Sequence, residues 1–214
     1  VRHQRLHGRL SQLRRQPDER LREFERLSVR SSVRLRARTP RLARAAFVWT
    51  EFSQAALAEE YIEGRELNVA VIATRSGSAP GVTTSGASGQ TLTTMPISEI
   101  TFDGLPAGEP HIVSYEAKWV EESPLYKTTV PVCPAVLPEA TAREAQALAA
   151  RAAEVIGLRD YGRVDMRLTE QGDLFVLEAN PNPDISEEAG FMRAAYASGR
   201  SYAGTIHEIL ERAI

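Results

Sequence analysis

Asp165, Glu178 and Asn180 carry the oxygen ligands that a hard cation prefers, and their spacing predicts that they meet on one hairpin. They belong to two apolar-rich runs, residues 162–168 and 173–183, which are separated by a short polar turn with a glycine. This pattern is typical of two antiparallel strands. An aspartate near the start of one strand would then lie opposite a glutamate and an asparagine near the end of its partner.

Strand alternation predicts which side chains of this hairpin share a face. One face of the first run carries three charged residues, Arg163, Asp165 and Arg167. In the second run, Glu178 is predicted to share a face with Leu174 and Val176. An arginine beside three oxygen ligands suits a hard cation and the phosphates that it carries. The alternative is a surface hairpin with ordinary solvated charges.

Composition limits the class of protein. The chain has 214 residues, of which 43% are hydrophobic, enough for a packed core in one domain or two small ones. Cys133 is the only cysteine, which excludes an intramolecular disulfide framework and indicates a reducing compartment. No apolar run approaches the roughly 18 residues of a membrane-spanning helix, and the first residues lack the apolar core of a signal peptide. We therefore expect a cytoplasmic protein without a membrane partner.

Charge is distributed unevenly along the chain. Residues 1–44 hold 14 arginines against 4 acidic residues, whereas the other 170 residues hold 12 basic and 24 acidic ones. Apolar spacing predicts amphipathic helices within residues 1–27, and a basic amphipathic helix could bind a polyanion. The segment has no recognised nucleic-acid motif, so nucleic acid is not expected as a partner. Two alternatives stay open, namely a partly disordered or loosely helical stretch and an out-of-frame translation of GC-rich DNA.

From about residue 45 the sequence predicts a mixed α+β domain. Helices are predicted over residues 40–52 and 139–156, after a cap at Ser186, and from Ser201. Strands are predicted over residues 55–62, 66–74, 96–102 and 111–120, with an edge strand or extended connection over 128–136. Loops are predicted over residues 75–94 and 121–126. The helix over 139–156 is expected to bury Val155 and Ile156 on its apolar face.

Four short motifs, in this order, resemble those of ATP-grasp carboxylate–amine ligases, most closely D-alanine–D-alanine ligase and its relatives. They are residues 59–67 (EEYIEGREL), 115–118 (YEAK), 162–165 (GRVD) and 177–181 (LEANP). The resemblance covers residues 45–214 and the carboxyl-terminal part of such a ligase. It implies an α+β ATP-grasp fold, with an antiparallel-sheet subdomain that carries the metal hairpin and part of the central nucleotide-covering subdomain. Residues 1–44 would be a separate arginine-rich segment.

The first motif would bind the nucleoside of ATP. Glu59, Glu60, Tyr61 and Ile62 would form the hinge that meets the adenine. Glu66 would bind the ribose hydroxyls, for which a carboxylate is a suitable acceptor. An exposed strand end is the alternative for this stretch.

The other motifs would bind the phosphates. Lys118 would contact the transferred phosphate as a point charge, and Arg163 would stabilise the charge that develops on the phosphoryl group and at the tetrahedral centre. Asp165, Glu178 and Asn180 would hold magnesium, or manganese, ions that bridge the phosphates of ATP. A salt-bridged hairpin without a ligand is the alternative.

The implied reaction joins a small carboxylate to an amine, both amino-acid-like or peptide-like. The carboxylate attacks the γ-phosphate of ATP to give an acyl phosphate, and the amine then displaces phosphate through a tetrahedral intermediate. Positioning and charge neutralisation account for most of the rate. A homodimer is compatible with this resemblance.

The chain departs from the family's pattern at three points. It lacks the domain that precedes the grasp, so a truncated form is expected. Residues 1–58 have no lysine and only Gly8 as glycine, where the family holds the phosphates. Residues 181–189 read PNPDISEEA where a Gly and a Ser usually serve the substrate carboxylate, and Asp184 would repel that group. The alternative function is a non-catalytic ATP-grasp remnant, or a binding module that uses its arginine-rich N-terminus on a polyanion.

Overall fold

A computed structural model of the chain describes residues 38–74, 81–86, 89 and 91–213. Contacts divide the chain into two compact units, residues 1–61 and residues 62–214. The helices predicted within residues 1–27 lie outside the described residues. The predicted domain boundary between residues 44 and 45 stays a prediction.

The described part of the first unit contains one helix, α1 (Arg38–Phe52). The prediction of a helix that ends at Phe52 is confirmed. Residues 55–61, which follow it, have no regular secondary structure, so the strand predicted there is wrong. Among the described residues no strand pairs with residues 55–61, so their backbone groups form no inter-strand hydrogen bonds.

The second unit is built around an antiparallel sheet of seven strands within the described residues. In chain order the strands are β1 (Arg65–Thr74), β2 (Thr83–Ser85), β3 (Thr91–Thr94), β4 (Ser98–Thr101), β5 (Val130–Val132), β6 (Tyr161–Leu168) and β7 (Leu174–Asn180). The helices are α2 (Tyr115–Trp119), α3 (Pro124–Lys127), α4 (Glu139–Val155), α5 (Gly190–Ala197) and α6 (Tyr202–Ala213). Strand β1 is central: it pairs with β6 along one edge and with β4 and then β3 along the other.

Most of the predicted elements of this unit are confirmed. They are the strands at residues 66–74 and 96–102, the hairpin β6–β7, the helix from residue 139 and the last helix. Among the described strands, β5 pairs with β4 alone, at the edge of the sheet, as Pro131 within it and the nearby Pro134 predict.

The two faces of β1 pack against different helices. Leu67 and Val69 face α4 and contact Ala145 and Ala149. The side chains of the other face belong to a second cluster, in which Ala70 and Ile72 pack with Phe191, Met192, Ala194 and Ala195 of α5. Since every residue from 67 to 74 is buried, β1 is a core strand on both faces, which explains its nearly continuous apolar sequence.

Helix α4 covers the sheet with alanines. Ala145, Ala149 and Ala153 are fully buried and lie four residues apart, so they form one stripe along the helix. Small side chains in that stripe allow the helix to approach the sheet closely. Val155 and Ile156 are 69% and 49% exposed, so the prediction that they are buried is wrong. Val155 is the last residue of α4 and Ile156 follows it, so both lie beyond the alanine stripe.

The loop predicted over residues 75–94 is wrong in its described part. Strands β2 and β3 form a hairpin there, and β3 also pairs with the end of β1. Leu92 and Thr94 are buried, and the Thr93 hydroxyl lies 2.6 Å from that of Thr74. β-Branched threonines favour strands, and the pairing with β1 decides the conformation.

Two further predictions between residues 111 and 127 are wrong. The strand predicted over residues 111–120 is the short helix α2, because the Ser114 hydroxyl accepts a hydrogen bond from the Ala117 backbone N at 3.1 Å and caps its start. The loop predicted over residues 121–126 contains the start of α3. Its cap is Ser123, whose hydroxyl accepts from the Leu125 backbone N.

The helix predicted to be capped by Ser186 begins later. Helix α5 starts at Gly190, and its capping residue Ala189 has no side chain that could accept a hydrogen bond. Ser186 instead belongs to a turn, in which its backbone N donates to Asp184 Oδ1 at 2.9 Å. Asp184 therefore competes for the backbone donor that a helical start would use.

No helix within residues 38–74, 81–86, 89 and 91–213 is long and apolar enough to cross a membrane.

Replacing the buried Leu67 by alanine is expected to lower the free energy of unfolding by about 2–5 kcal/mol, because a cavity would open between β1 and α4. Leu210→Ala on α6 is the matched control: that side chain is 56% exposed, so its loss should change stability by less than about 0.5 kcal/mol. Urea denaturation followed by circular dichroism measures both changes. Equal stability losses in the two variants would contradict the described packing.

Candidate functional site

A β-bulge in the hairpin decides which of its side chains meet. Met166 pairs with Val176 and Asp165 pairs with Glu178, so Leu177 is an extra residue on β7. An extra residue in one strand reverses the alternation of the side chains that follow it.

Four polar side chains consequently share one face of the hairpin: Arg163, Asp165, Glu178 and Asn180. Leu174 and Ala179, from the two sides of the bulge, both pack against the core under α4. The prediction that Glu178 shares a face with Leu174 and Val176 is therefore wrong, because strict alternation does not continue through a bulge. The predicted meeting of Glu178 with Asp165 is confirmed.

Asp165 is held by partners on its own strand and on β1. The Arg163 guanidinium donates to both carboxylate oxygens, from Nε to Oδ1 and from Nη2 to Oδ2, each at 2.6 Å. Asn68 donates from Nδ2 to Asp165 Oδ1 at 3.0 Å, and the two residues are directly opposite in the register. The bond with Asp165 raises the pKa of Arg163 further above its ordinary value, so the guanidinium stays charged.

Glu178 lies directly opposite Asp165 in the pairing of β6 with β7. Burial raises the pKa of Glu178 and the adjacent Asp165 carboxyl raises it further, while Arg163 and Lys118 lower it. Adjacent carboxylates disfavour each other's ionisation. A divalent cation would relieve this repulsion, so these two residues fit a metal ion.

Asn180 adds an amide oxygen to this face. Its Oδ1 accepts a hydrogen bond from the Asn182 backbone N at 2.9 Å, which fixes the side chain at the exit of β7. Hard oxygen ligands of this kind suit Mg²⁺ or Mn²⁺. The described part of the chain has no group of three or more His, Cys, Asp or Glu side chains that could hold a metal. The predicted metal ligands are of a different kind, because they comprise two carboxylates, Asp165 and Glu178, and one amide, Asn180.

Glu66 pairs with a buried arginine. Arg167 Nη2 lies 3.0 Å from Glu66 Oε2, and the Arg167 side chain is only 3% exposed. Arg167 also donates to the backbone carbonyls of Gly64, at 3.1 Å, and His111. Burial raises the pKa of Glu66, the charge of Arg167 lowers it and that of Asp165 raises it, with a net increase. The predicted contact of Glu66 with ribose hydroxyls stays a prediction.

Lys118 lies on α2, and its charge acts on acidic groups at the end of the hairpin. Its side chain is exposed, and its Nζ lies 5.2 Å from the centroid of the Trp119 ring. Its positive charge lowers the pKa of both Glu178 and Asp184. Lys118 is thus within electrostatic reach of the acidic end of β7, and its predicted contact with a phosphate stays a prediction.

Asp184 is an ionised carboxylate at the edge of the same site. Hydrogen bonds from the backbone and side chain of Ser186 lower the pKa of Asp184, and the charges of Lys118 and Arg163 lower it further. The side chain is exposed. It therefore presents a negative charge next to the two cations of the site.

The predicted adenine hinge falls at the division between the two units. Glu59, Glu60 and Tyr61 belong to the first unit and are exposed, whereas Ile62 is the first residue of the second unit and is half-buried. Their predicted contacts with adenine stay predictions.

Sequence reasoning missed Asn68. Its position in an apolar strand, two residues after Glu66, was a usable signal, because residues two apart in a strand share a face. An amide in a strand buried on both faces needs a hydrogen-bond partner. Only the β1–β6 register shows that this partner is Asp165.

Comparison with known proteins identifies the fold and the family. A structure of the D-alanine–D-alanine ligase from Coxiella burnetii covers 72% of this chain and 33% of that chain, at 19% sequence identity and a TM-score of 0.51. The second unit thus has the α+β ATP-grasp fold. The family model described as D-ala D-ala ligase C-terminus matches residues 31–211, and the chain belongs to this family.

Two relatives show how much of a longer protein the match covers. The D-alanine–D-alanine ligase of Bordetella petrii is 34% identical over 163 residues, which are 76% of this chain and 42% of the ligase. The uncharacterised protein y4sG of Sinorhizobium fredii is 32% identical over 162 residues, with the same shares of the two chains. This chain therefore spans about two fifths of the length of these curated relatives.

Glu66→Gln is expected to raise the melting temperature at neutral pH. Because folding raises the pKa of Glu66, the folded state favours the neutral carboxyl. This preference stabilises the folded state fully at pH values below the pKa of Glu66 in the unfolded chain. The stabilisation is lost as the pH rises through the pKa of Glu66 in the folded chain. Glutamine stays neutral at every pH, and its side-chain oxygen can still accept a hydrogen bond from Arg167.

Thermal denaturation at several pH values measures the effect. The gain in melting temperature should be near zero below the ordinary glutamate pKa and should grow as the pH rises above it. Glu144→Gln, on the exposed side of α4, is the control for removing a surface carboxylate. A lower melting temperature for Glu66→Gln at neutral pH would contradict the assignment.

Proposed function

We propose that this chain provides the ATP- and magnesium-binding part of a carboxylate–amine ligase that acts through an acyl phosphate. The observation that carries the proposal is the arrangement on one face of the hairpin: Asp165 and Glu178 in contact, with Arg163 bonded to Asp165. Membership of the D-ala D-ala ligase C-terminus family supports it. The two carboxylates would bind the metal ion of a metal–nucleotide complex, and Arg163 would bind its phosphates.

Asp165, Glu178 and Asn180 would hold the metal ion, Mg²⁺ or Mn²⁺. When bound, the ion would supply positive charge that neutralises the phosphates of ATP. The two carboxylates would then be stabilised in their ionised form, which their mutual contact disfavours in the absence of a cation.

The cationic side chains would act on the transferred group. Arg163 already lies next to Asp165 and has donors that match the geometry of a phosphoryl oxygen pair. It would stabilise the charge that develops during attack by the substrate carboxylate and again when the amine displaces phosphate. Lys118, on the exposed side of α2, would contact the same phosphate as a mobile point charge.

Nucleoside recognition would come from the first motif. Glu59, Glu60, Tyr61 and Ile62 would meet the adenine. Glu66 would accept hydrogen bonds from the ribose hydroxyls, because only part of its acceptor capacity is used by Arg167. The substrates would be small amino acids or peptide-like molecules, and a cytoplasmic location is part of the same proposal.

Calorimetric titration of the full chain with ATP, with and without magnesium, tests the proposal. We expect binding that depends on magnesium and weakens by about 10-fold or more in Asp165→Asn and in Glu178→Gln, because each change removes a ligand charge. Glu144→Gln removes an exposed carboxylate elsewhere, and its affinity should equal that of the unaltered chain. Magnesium-independent binding in the unaltered chain, or none at all, would refute the proposed function.

A further inference from the structure

We propose that Asn68 is a positioning residue that fixes the orientation of Asp165 and determines which of its carboxylate oxygens is presented to a cation. This inference rests on the proposed function, since it assigns Asp165 to the metal site. Asn68 itself would not contact the metal ion or the nucleotide. Its role would be to hold a ligand.

The position of Asn68 makes it a rigid donor. It lies in the middle of β1, and its side chain is 8% exposed. Backbone pairing holds β1 on both sides of this residue, with Asp165 of β6 opposite one edge and Ser98 of β4 opposite the other. A short side chain in such a place has few alternative rotamers. Its amide must also keep a hydrogen-bond partner to remain buried at low energetic cost.

Arg163, which also donates to Asp165, is not rigid in this sense. Arg163 has a long side chain that is 21% exposed, and its guanidinium occupies both oxygens of Asp165. A cation that binds Asp165 has to replace the guanidinium on at least one oxygen. The long Arg163 side chain can move away from Asp165, whereas Asn68 is held in place by the pairing of β1.

The hydrogen bond from Asn68 therefore selects the exchangeable oxygen. Asn68 donates to Oδ1 at 3.0 Å, whereas Oδ2 accepts from the Arg163 guanidinium at 2.6 Å. When the guanidinium leaves, Asp165 would stay oriented with Oδ1 toward β1 and would present Oδ2. A neutral donor is suited to this role, because it orients the carboxylate without neutralising the charge that attracts a cation.

Two variants of similar shape isolate the donor. Asn68→Thr keeps a hydroxyl that can donate to Asp165, whereas Asn68→Val replaces that hydroxyl with a methyl group. We expect the magnesium concentration required for half-maximal ATP binding to rise by roughly 10-fold or more in Asn68→Val relative to Asn68→Thr. The two variants should have similar circular dichroism spectra. A merely structural role would lower the melting temperature without shifting the magnesium requirement.

Ser98→Ala is the control for the loss of a polar group on the same face. The Ser98 hydroxyl is buried beside the Cys133 thiol, so its removal should leave the magnesium requirement unchanged. Equal magnesium requirements in Asn68→Thr and Asn68→Val would overturn the inference while leaving the proposed function intact. Absence of magnesium-dependent binding in the unaltered chain would overturn the proposed function, and this inference with it.

Discussion

Strand β1 is the constraint on which the second unit depends, because it is hydrogen-bonded along both edges and buried on both faces. Leu67, Val69, Val71 and Ala73 pack under the alanine stripe of α4, and Ala70 and Ile72 pack under α5. A one-residue shift of its register would exchange these faces and bury the wrong side chains. The same register places Asn68 opposite Asp165 and Glu66 opposite Arg167. Core packing and site geometry are thus fixed by one set of backbone hydrogen bonds.

The β-bulge at Leu177 adapts this regular frame to the chemistry of the site. Without the extra residue, alternation along β7 would direct Glu178 into the apolar core under α4, where an ionised carboxylate is strongly disfavoured. With it, Leu174 and Ala179 remain in that core and Glu178 joins Asp165. Bulges occur often next to active sites because they redirect a side chain without disrupting the rest of a sheet.

The charges of the site are compensated only in part. Arg163 neutralises Asp165 and Arg167 neutralises Glu66, while the pKa values of Glu66 and Glu178 are raised. The folded chain therefore holds carboxylates in surroundings that disfavour their charge. Functional sites commonly sacrifice stability in this way, and a bound cation would remove much of the repulsion.

The sequence by itself determined the hairpin, the long helix α4 and the meeting of Asp165 with Glu178, because apolar periodicity and turn residues are local signals. It also indicated the family through four short motifs. It did not predict strands β2 and β3 or the bulge, since these depend on which segments pair in space. The cap at Ser114 is a local signal, and the prediction of a strand over residues 111–120 overlooked it. Asn68 illustrates the limit: a polar residue in an apolar strand is visible in the sequence, but only the tertiary structure shows its partner. Register and bulges are set by the packing of whole elements, and local periodicity carries no record of them.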